Sequence, residues 1–188
     1  MDATNAIQIV SPMVQKQEGF SSSAYWDVNG YAIGFGNHYW SDGTTIDAGS
    51  TISLSDAVDL LNFTLQQTFN EISPCITATL TDNQLAALLD LAYNWGAGNV
   101  CNSVLLQLIN SGASSADIDA QWAKTATTSG GVNNSTLYNR RLSEDSLFDT
   151  VVASVQDAVA AVPTWGWYVG GGLAAAMMLY FLLKKPTK

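Results

Sequence analysis

The stretch Glu18-Gly-Phe-Ser-Ser-Ser-Ala-Tyr-Trp-Asp27, continued by Val-Asn-Gly-Tyr-Ala-Ile-Gly-Phe-Gly-Asn-His38, sets the reading of the whole chain. Upstream of it, Ser11-Pro12 reads as a helix start, with Ser as N-cap and Pro in the first turn, and Gly19 reads as the stop. That helix leaves Glu18 at its C-terminal end. From Phe20 to Thr51 aromatic and β-branched residues are broken by Asn29-Gly30, Gly34, Gly36 and Asp42-Gly43, the pattern of a small antiparallel sheet with tight turns. One carboxyl therefore ends a helix, and a second opens a hairpin nine positions later. Glycosidic cleavage uses such a pair: a proton donor for the leaving oxygen and a carboxylate on the other side of the sugar ring. A donor of this kind needs apolar, partly desolvated surroundings, which Phe20, Tyr25 and Trp26 could supply. Taken alone the spacing is not specific, since a Glu at a helix end and an Asp in a turn are commonly plain surface residues.

The rest of the chain reads as helices. Ser53-Leu-Ser-Asp56 resembles a capping box, and Leu54, Val58, Leu61, Leu65, Phe69 and Ile72 follow at amphipathic steps until Ser73-Pro74. Thr81-Asp-Asn-Gln84 is a second capping box. It opens LAALLDLAYNW, apolar on nearly every side and so suited to the buried centre of a helical lobe; Gly96 and Gly98 stop it. SVLLQLIN is a shorter helix closed by Ser111-Gly112, residues 125–136 form a polar loop, and LYNRRLSEDSLF is helical again. The fold class is α+β and two-lobed: a small N-terminal antiparallel hairpin sheet beside a mostly helical lobe, with a cleft between them as the natural ligand site.

Composition narrows the partners. Residues 1–164 hold all 16 acidic residues and four of the seven basic ones, a charge of −12. Phosphate would be repelled, so nucleic acid is not a partner. Anionic wall polymers would not be steered in by charge either, so a shaped groove has to recognise them. Cys75 and Cys101 fit no metal-ligand spacing and His38 is the sole histidine, so no metal and no cofactor is expected. The two cysteines form a disulfide or remain buried thiols; compartment decides which. The N-terminal MDATNAIQIVSPM has no basic segment followed by an apolar core, and reads as no secretory signal.

The segment EGFSSSAYWDVNGYAIGFGNH resembles the active-site segment of the phage lysozymes of glycoside hydrolase family 24. There a Glu-Gly ends the first helix, an Asp opens the hairpin, and Ile-Gly-x-Gly follows. LTDNQLAALLDLAYNWGAG resembles the central helix of that family, CNSVLLQLIN the short helix after it, and LYNRRLSEDSLF the closing Arg-Arg-x-x-Glu helix. The resemblance spans roughly residues 7–148. It implies the lysozyme fold and hydrolysis of the β-1,4 bond between N-acetylmuramic acid and N-acetylglucosamine in bacterial peptidoglycan. Glu18 would be the general acid, and Asp27 the carboxylate that positions water or stabilises the oxocarbenium ion. Asn94 would contact substrate, or else cap its helix near Gly96. Arg140 and Arg141 would border the substrate site, one of them reaching toward Glu18; the plainer alternative for either is a surface pair with Glu144.

One position departs from the family pattern. A Thr usually precedes the Ile-Gly; here it is Ala32, in a segment one residue shorter. A methyl group cannot hydrogen-bond a water. Asn37 or His38 could serve in its place, or His38 could be a surface residue. Attack by the sugar's own hydroxyl, as in lytic transglycosylases, needs no such group. A wall-binding or virion structural protein on a retired lysozyme fold is the remaining alternative.

Beyond a domain at 1–150, residues 151–164 read as an amphipathic linker carrying Val151, Val155, Val159 and Val162. Trp165 to Leu183 is an uncharged run of 19 residues, close to the length that spans a hydrocarbon core of roughly 30 Å. Trp165, Trp167 and Tyr168 sit at one end of it, and a basic tail at 184–188 lies at the other. The expectation is a single-pass anchor with its C-terminus inside, so that a lipid membrane is a partner. The setting would be the virion membrane of a lipid-containing phage, with other virion proteins as partners, or the host inner membrane for a tail-anchored lysis protein.

Overall fold

The structure, a computed structural model, describes residues 2–150. Helix α1 (Thr4–Glu18) leads into a hairpin of β1 (Ser21–Asp27) and β2 (Gly30–Gly34), and the long helix α2 (Leu54–Ile72) follows. After a 3-10 turn at Ser73–Cys75 come α3 (Asp82–Trp95), α4 (Ala97–Cys101), α5 (Val104–Ser111) and α6 (Ser115–Trp122). A second hairpin of β3 (Thr128–Ser129) and β4 (Val132–Asn133) precedes α7 (Ser135–Phe148). This is an α+β fold, a small antiparallel hairpin beside a mostly helical body. Among the described residues no helix is long and apolar enough to cross a membrane. The expectations for 151–164, 165–183 and 184–188 lie outside the described residues.

Helix α1 begins at Thr4 and not at Ser11-Pro12. Ala6, Ile7, Val10 and Val14 form one buried face, and burial of that face outweighs the local start signal at Pro12. Pro12 is exposed, so the backbone carbonyl that loses its partner four residues back can turn to water. The start is fixed instead by Asp2, whose Oδ1 accepts from the Thr4 amide at 3.0 Å. Gly19, at φ 72°, ends the helix.

Helix α3 is the axis of the body. Every residue from Leu85 to Ala92 is buried, and the helix packs against α1, α2, α4 and α7. Its capping box is complete: Thr81 Oγ1 accepts from the Gln84 amide, and Gln84 Oε1 accepts from the Thr81 amide. The buried face of α2 is rotated from the expected one. Ala57 and Leu60 join Leu61, Leu65, Phe69 and Ile72 inside, while Leu54 is 55% exposed. Gly98 lies within α4, which follows α3 directly after Gly96. The polar loop 125–136 contains the small β3–β4 hairpin; Gly130 and Gly131 turn it with φ of 57° and 79°, the left-handed pair such a turn requires. Cys75 and Cys101 form a disulfide, Cα to Cα 5.5 Å, tying the end of α2 to the end of α4.

Candidate active site

Glu18 stands at the last turn of α1, and Asp27 at the last position of β1, paired with Gly30 across the hairpin. Tyr25, two residues before Asp27, links them. Burial first, then the charge of Asp27 and then that of Glu18 raise its hydroxyl above the usual tyrosine range. Both carboxyls are therefore within electrostatic reach of one phenol. Phe20 packs on Phe35 with ring centres 5.7 Å apart, and Trp26 meets Tyr31 edge to face at 5.2 Å. Gly36 lies beside Glu18: a Cβ there would sit 4.0 Å from Glu18 Oε2. From Gly36 a cleft of about 640 Å³ runs between the loop of Tyr39 and Trp40, the α2 face of Phe63 and Gln67, and the end of α3 at Tyr93.

Behind Glu18 lies a buried ionic network carried by α3 and α7. Arg140 Nη1 donates to Glu18 Oε1 at 2.6 Å, and Nη2 donates to Asp90 Oδ1 at 2.6 Å. Burial by itself would lower the Arg140 guanidinium; Asp90 and Glu18 more than offset that, and the net shift is upward. Arg141 Nη2 donates to Glu144 Oε1 at 2.6 Å and to Asn94 Oδ1 at 3.0 Å. Arg141, Asp90 and Glu144 are fully enclosed. Burial pushes the Glu144 carboxyl well above the ordinary carboxylate range, against the pull of Arg141. Burial also draws Arg141 down.

Each residue singled out in the sequence can now be placed. Arg140 is the arginine that reaches Glu18. Arg141 takes the pair with Glu144, yet this pair is in the interior and not on the surface. Both arginines are buried. Asn94 does not cap α3; Gly96 N donates to Ala92 O, and Asn99 Nδ2 covers Trp95 O at 2.6 Å. Asn37 is buried and its Nδ2 donates to Thr64 Oγ1 at 2.8 Å. Ala32 is fully buried and offers no hydroxyl. His38 is beside Asp27, its Nε2 3.5 Å from Oδ2, and its Nδ1 lies 3.1 Å from the Tyr31 carbonyl.

Two residues of the site were not singled out in the sequence. Asp90 underlies Arg140, and the signal for it was a lone carboxylate inside an otherwise apolar helix. Tyr93 donates its hydroxyl to Phe35 O at 2.8 Å, tying α3 to the segment after β2. Burial first, then Glu18, push that hydroxyl far up, so it stays a donor at any ordinary pH.

A helical body whose first helix ends in a carboxyl, held from behind by an arginine of the last helix, is the architecture of a lysozyme-like protein. Comparison by sequence narrows this: the phage lysozyme model matches residues 15–144, and the chain belongs to that family. It is 33% identical over 143 residues to an endolysin of Bacillus phage PZA, covering 73% of this chain and 52% of that one. It is 35% identical over 95 residues to a SAR-endolysin of Enterobacteria phage P21, covering 50% and 56%. The chain thus spans about half the length of the curated relatives it matches. Among solved structures, an endolysin from Escherichia coli O157:H7 phage FAHEc1 aligns with a TM-score of 0.69 at 22% identity, over 80% of this chain and 96% of that one. The muramidase domain of SpmX from Asticaccaulis excentricus aligns at 0.67 and 24%, over 77% and 97%. Both of these establish shared fold. A P22 lysozyme aligns at 0.65 with 27% identity, over 78% and 97%.

Proposed function

We propose that this chain is a peptidoglycan-cleaving muramidase that cuts the β-1,4 bond between N-acetylmuramic acid and N-acetylglucosamine. The observation that carries the reading is the position of Glu18 at the end of α1: beside Gly36, where the cleft begins, and held by Arg140 at 2.6 Å. Glu18 gives its proton to the glycosidic oxygen as the bond breaks, and Asp27 answers the positive charge that develops on the sugar. Asn94, part-buried at the end of α3, is the substrate-contacting amide, fixed by Arg141. Arg140 acts through Glu18 as a positioning residue. Membership in a family with endolysin relatives supports the substrate class. The uncharged run at 165–183 supports attachment to a membrane, either that of a lipid-containing virion or the host inner membrane. Zymography on peptidoglycan, with mass spectrometry of the products, tests the enzymatic reading: clearing with reducing-end muropeptides is the expected result, and intact sacculi overturn it.

Ala32 favours a second reading, lytic transglycosylation, in which the sugar's own hydroxyl attacks and no water has to be held. The same digest separates the two, because only transglycosylation leaves anhydro ends.

A further inference from the structure

We propose that His38 and Asp27 together hold the attacking water, a role for which Ala32 offers no hydroxyl. The inference rests on the muramidase reading and adds the histidine to it. A carbonyl oxygen can only accept, so the Tyr31 carbonyl fixes a ring hydrogen on Nδ1, and a ring carrying that hydrogen alone presents an acceptor at Nε2. That acceptor lies 3.5 Å from Asp27 Oδ2, which is also an acceptor. The other Asp27 oxygen, Oδ1, already takes the Val28 amide at 2.7 Å, so Oδ2 is the one turned to the histidine. Two acceptors side by side call for a donor with two hydrogens, and water is one. Two straight bonds to one water would place its acceptors about 4.4 Å apart. Asp27, with a half-exposed side chain, reaches that separation with a swing of about 1 Å. Both hydrogens are then engaged and the oxygen lone pair is free to point at the sugar.

The step balances without any further reagent. The Glu18 proton goes to the glycosidic oxygen and the bond from it to the anomeric carbon breaks. The water oxygen bonds to that carbon, and its released proton passes to His38 Nε2. The imidazolium so formed is stabilised by the Asp27 carboxylate. The Asn37 amide nitrogen is engaged by Thr64, and a carboxamide could not take the proton.

The test uses the full chain on purified sacculi, with His38→Gln, His38→Ala and His38→Arg beside wild type. All three variants are expected to lower kcat about 100-fold with KM within about twofold, and to raise the share of anhydro ends, because intramolecular attack needs no held water. Thermal melting checks that each variant is folded, and His38→Gln, close in size and polar, is the variant read if His38→Ala is not. Wild-type-like turnover by His38→Arg overturns the proposal in favour of a simple ion pair with Asp27. Turnover by His38→Gln within threefold of wild type, or a kcat loss with an unchanged product ratio, also overturns it. An inactive wild type would remove the muramidase reading, and this inference with it.

Discussion

Arg140 divides one guanidinium between Glu18 and Asp90, 2.6 Å from each, and so couples the carboxyl that ends α1 to the centre of the helical body. Asp90 is enclosed on all sides. Replacing it with Asn leaves half of the fork without its charged partner. Breaking a buried pair of this kind costs about 3–5 kcal/mol. Asp90→Asn is therefore expected to lower the melting temperature by roughly 6–20 °C and to reduce lysis although it touches no substrate. Melting curves and turbidity assays on one preparation check both; unchanged stability would mean the fork does not need its inner anchor.

Glu18→Gln isolates the acid from its scaffold. The amide oxygen still accepts from Arg140, so the fold and its melting point should change little. The amide cannot donate a proton of suitable acidity, and lysis should fall by at least about 100-fold. Turnover within a few-fold of wild type would remove Glu18 from the role of proton donor.

The outer face of α7 sets a pH dependence that has nothing to do with catalysis. Burial, then the neighbouring Asp119 and Asp149, raise Asp145 from 3.8 to about 6. The folded chain thus holds that proton more tightly than the unfolded chain does. The stability it contributes is complete below about pH 4, is lost as pH rises through about 6, and is absent above. Asp145→Asn removes the repulsion and should stabilise the protein at pH 7.5 by about 1 kcal/mol, once the shift is discounted for solvent screening at this partly exposed site. At pH 4 the gain should vanish. Melting points of the two proteins at both pH values decide it, and equal differences at both would refute the assignment.

The Cys75–Cys101 bridge closes a loop with a sequence separation of 26. Such a loop is worth about 3 kcal/mol, mainly by restricting the unfolded chain. Reduction should lower the melting temperature by roughly 6–12 °C. Thiol labelling of denatured, non-reduced protein should find none to label; two labelled thiols per chain would contradict the bridge.

The membrane proposal makes its own demand. The full chain should resist alkaline carbonate and require detergent, whereas a chain cut after Pro163 should be soluble and still lytic. Release of the full chain by carbonate alone would sink the anchor.

Much of the site could be read in advance because its signals are local. The turn glycines gave the hairpin, and Thr81 with Gln84 gave the start of α3. The pair Arg140-Arg141 with Glu144 three and four positions on marked one helix. What escaped was set by tertiary packing. Pro12 looks like a helix start until Ala6, Ile7 and Val10 are seen to be buried ahead of it. In α6 only Ile118 and Trp122 are buried, too few for a periodic signal. Asp90 was hidden among leucines, since a one-dimensional pattern does not show that an arginine from another helix is aimed at it. The choice between Arg140 and Arg141 depends on the rotation of α7. The meeting of His38 with Asp27 depends on a loop that folds back on itself through Tyr39 and Thr45.

The contact between Glu18 and Arg140 joins residues 122 positions apart. During synthesis Glu18 and Asp27 both leave the ribosome long before the arginine that holds the first of them. A chain stopped anywhere before α7 carries both carboxyls but not the brace of Glu18. The brace on Glu18 is therefore set only when the last helix of the described body has docked, so this contact is among the last the growing chain can make.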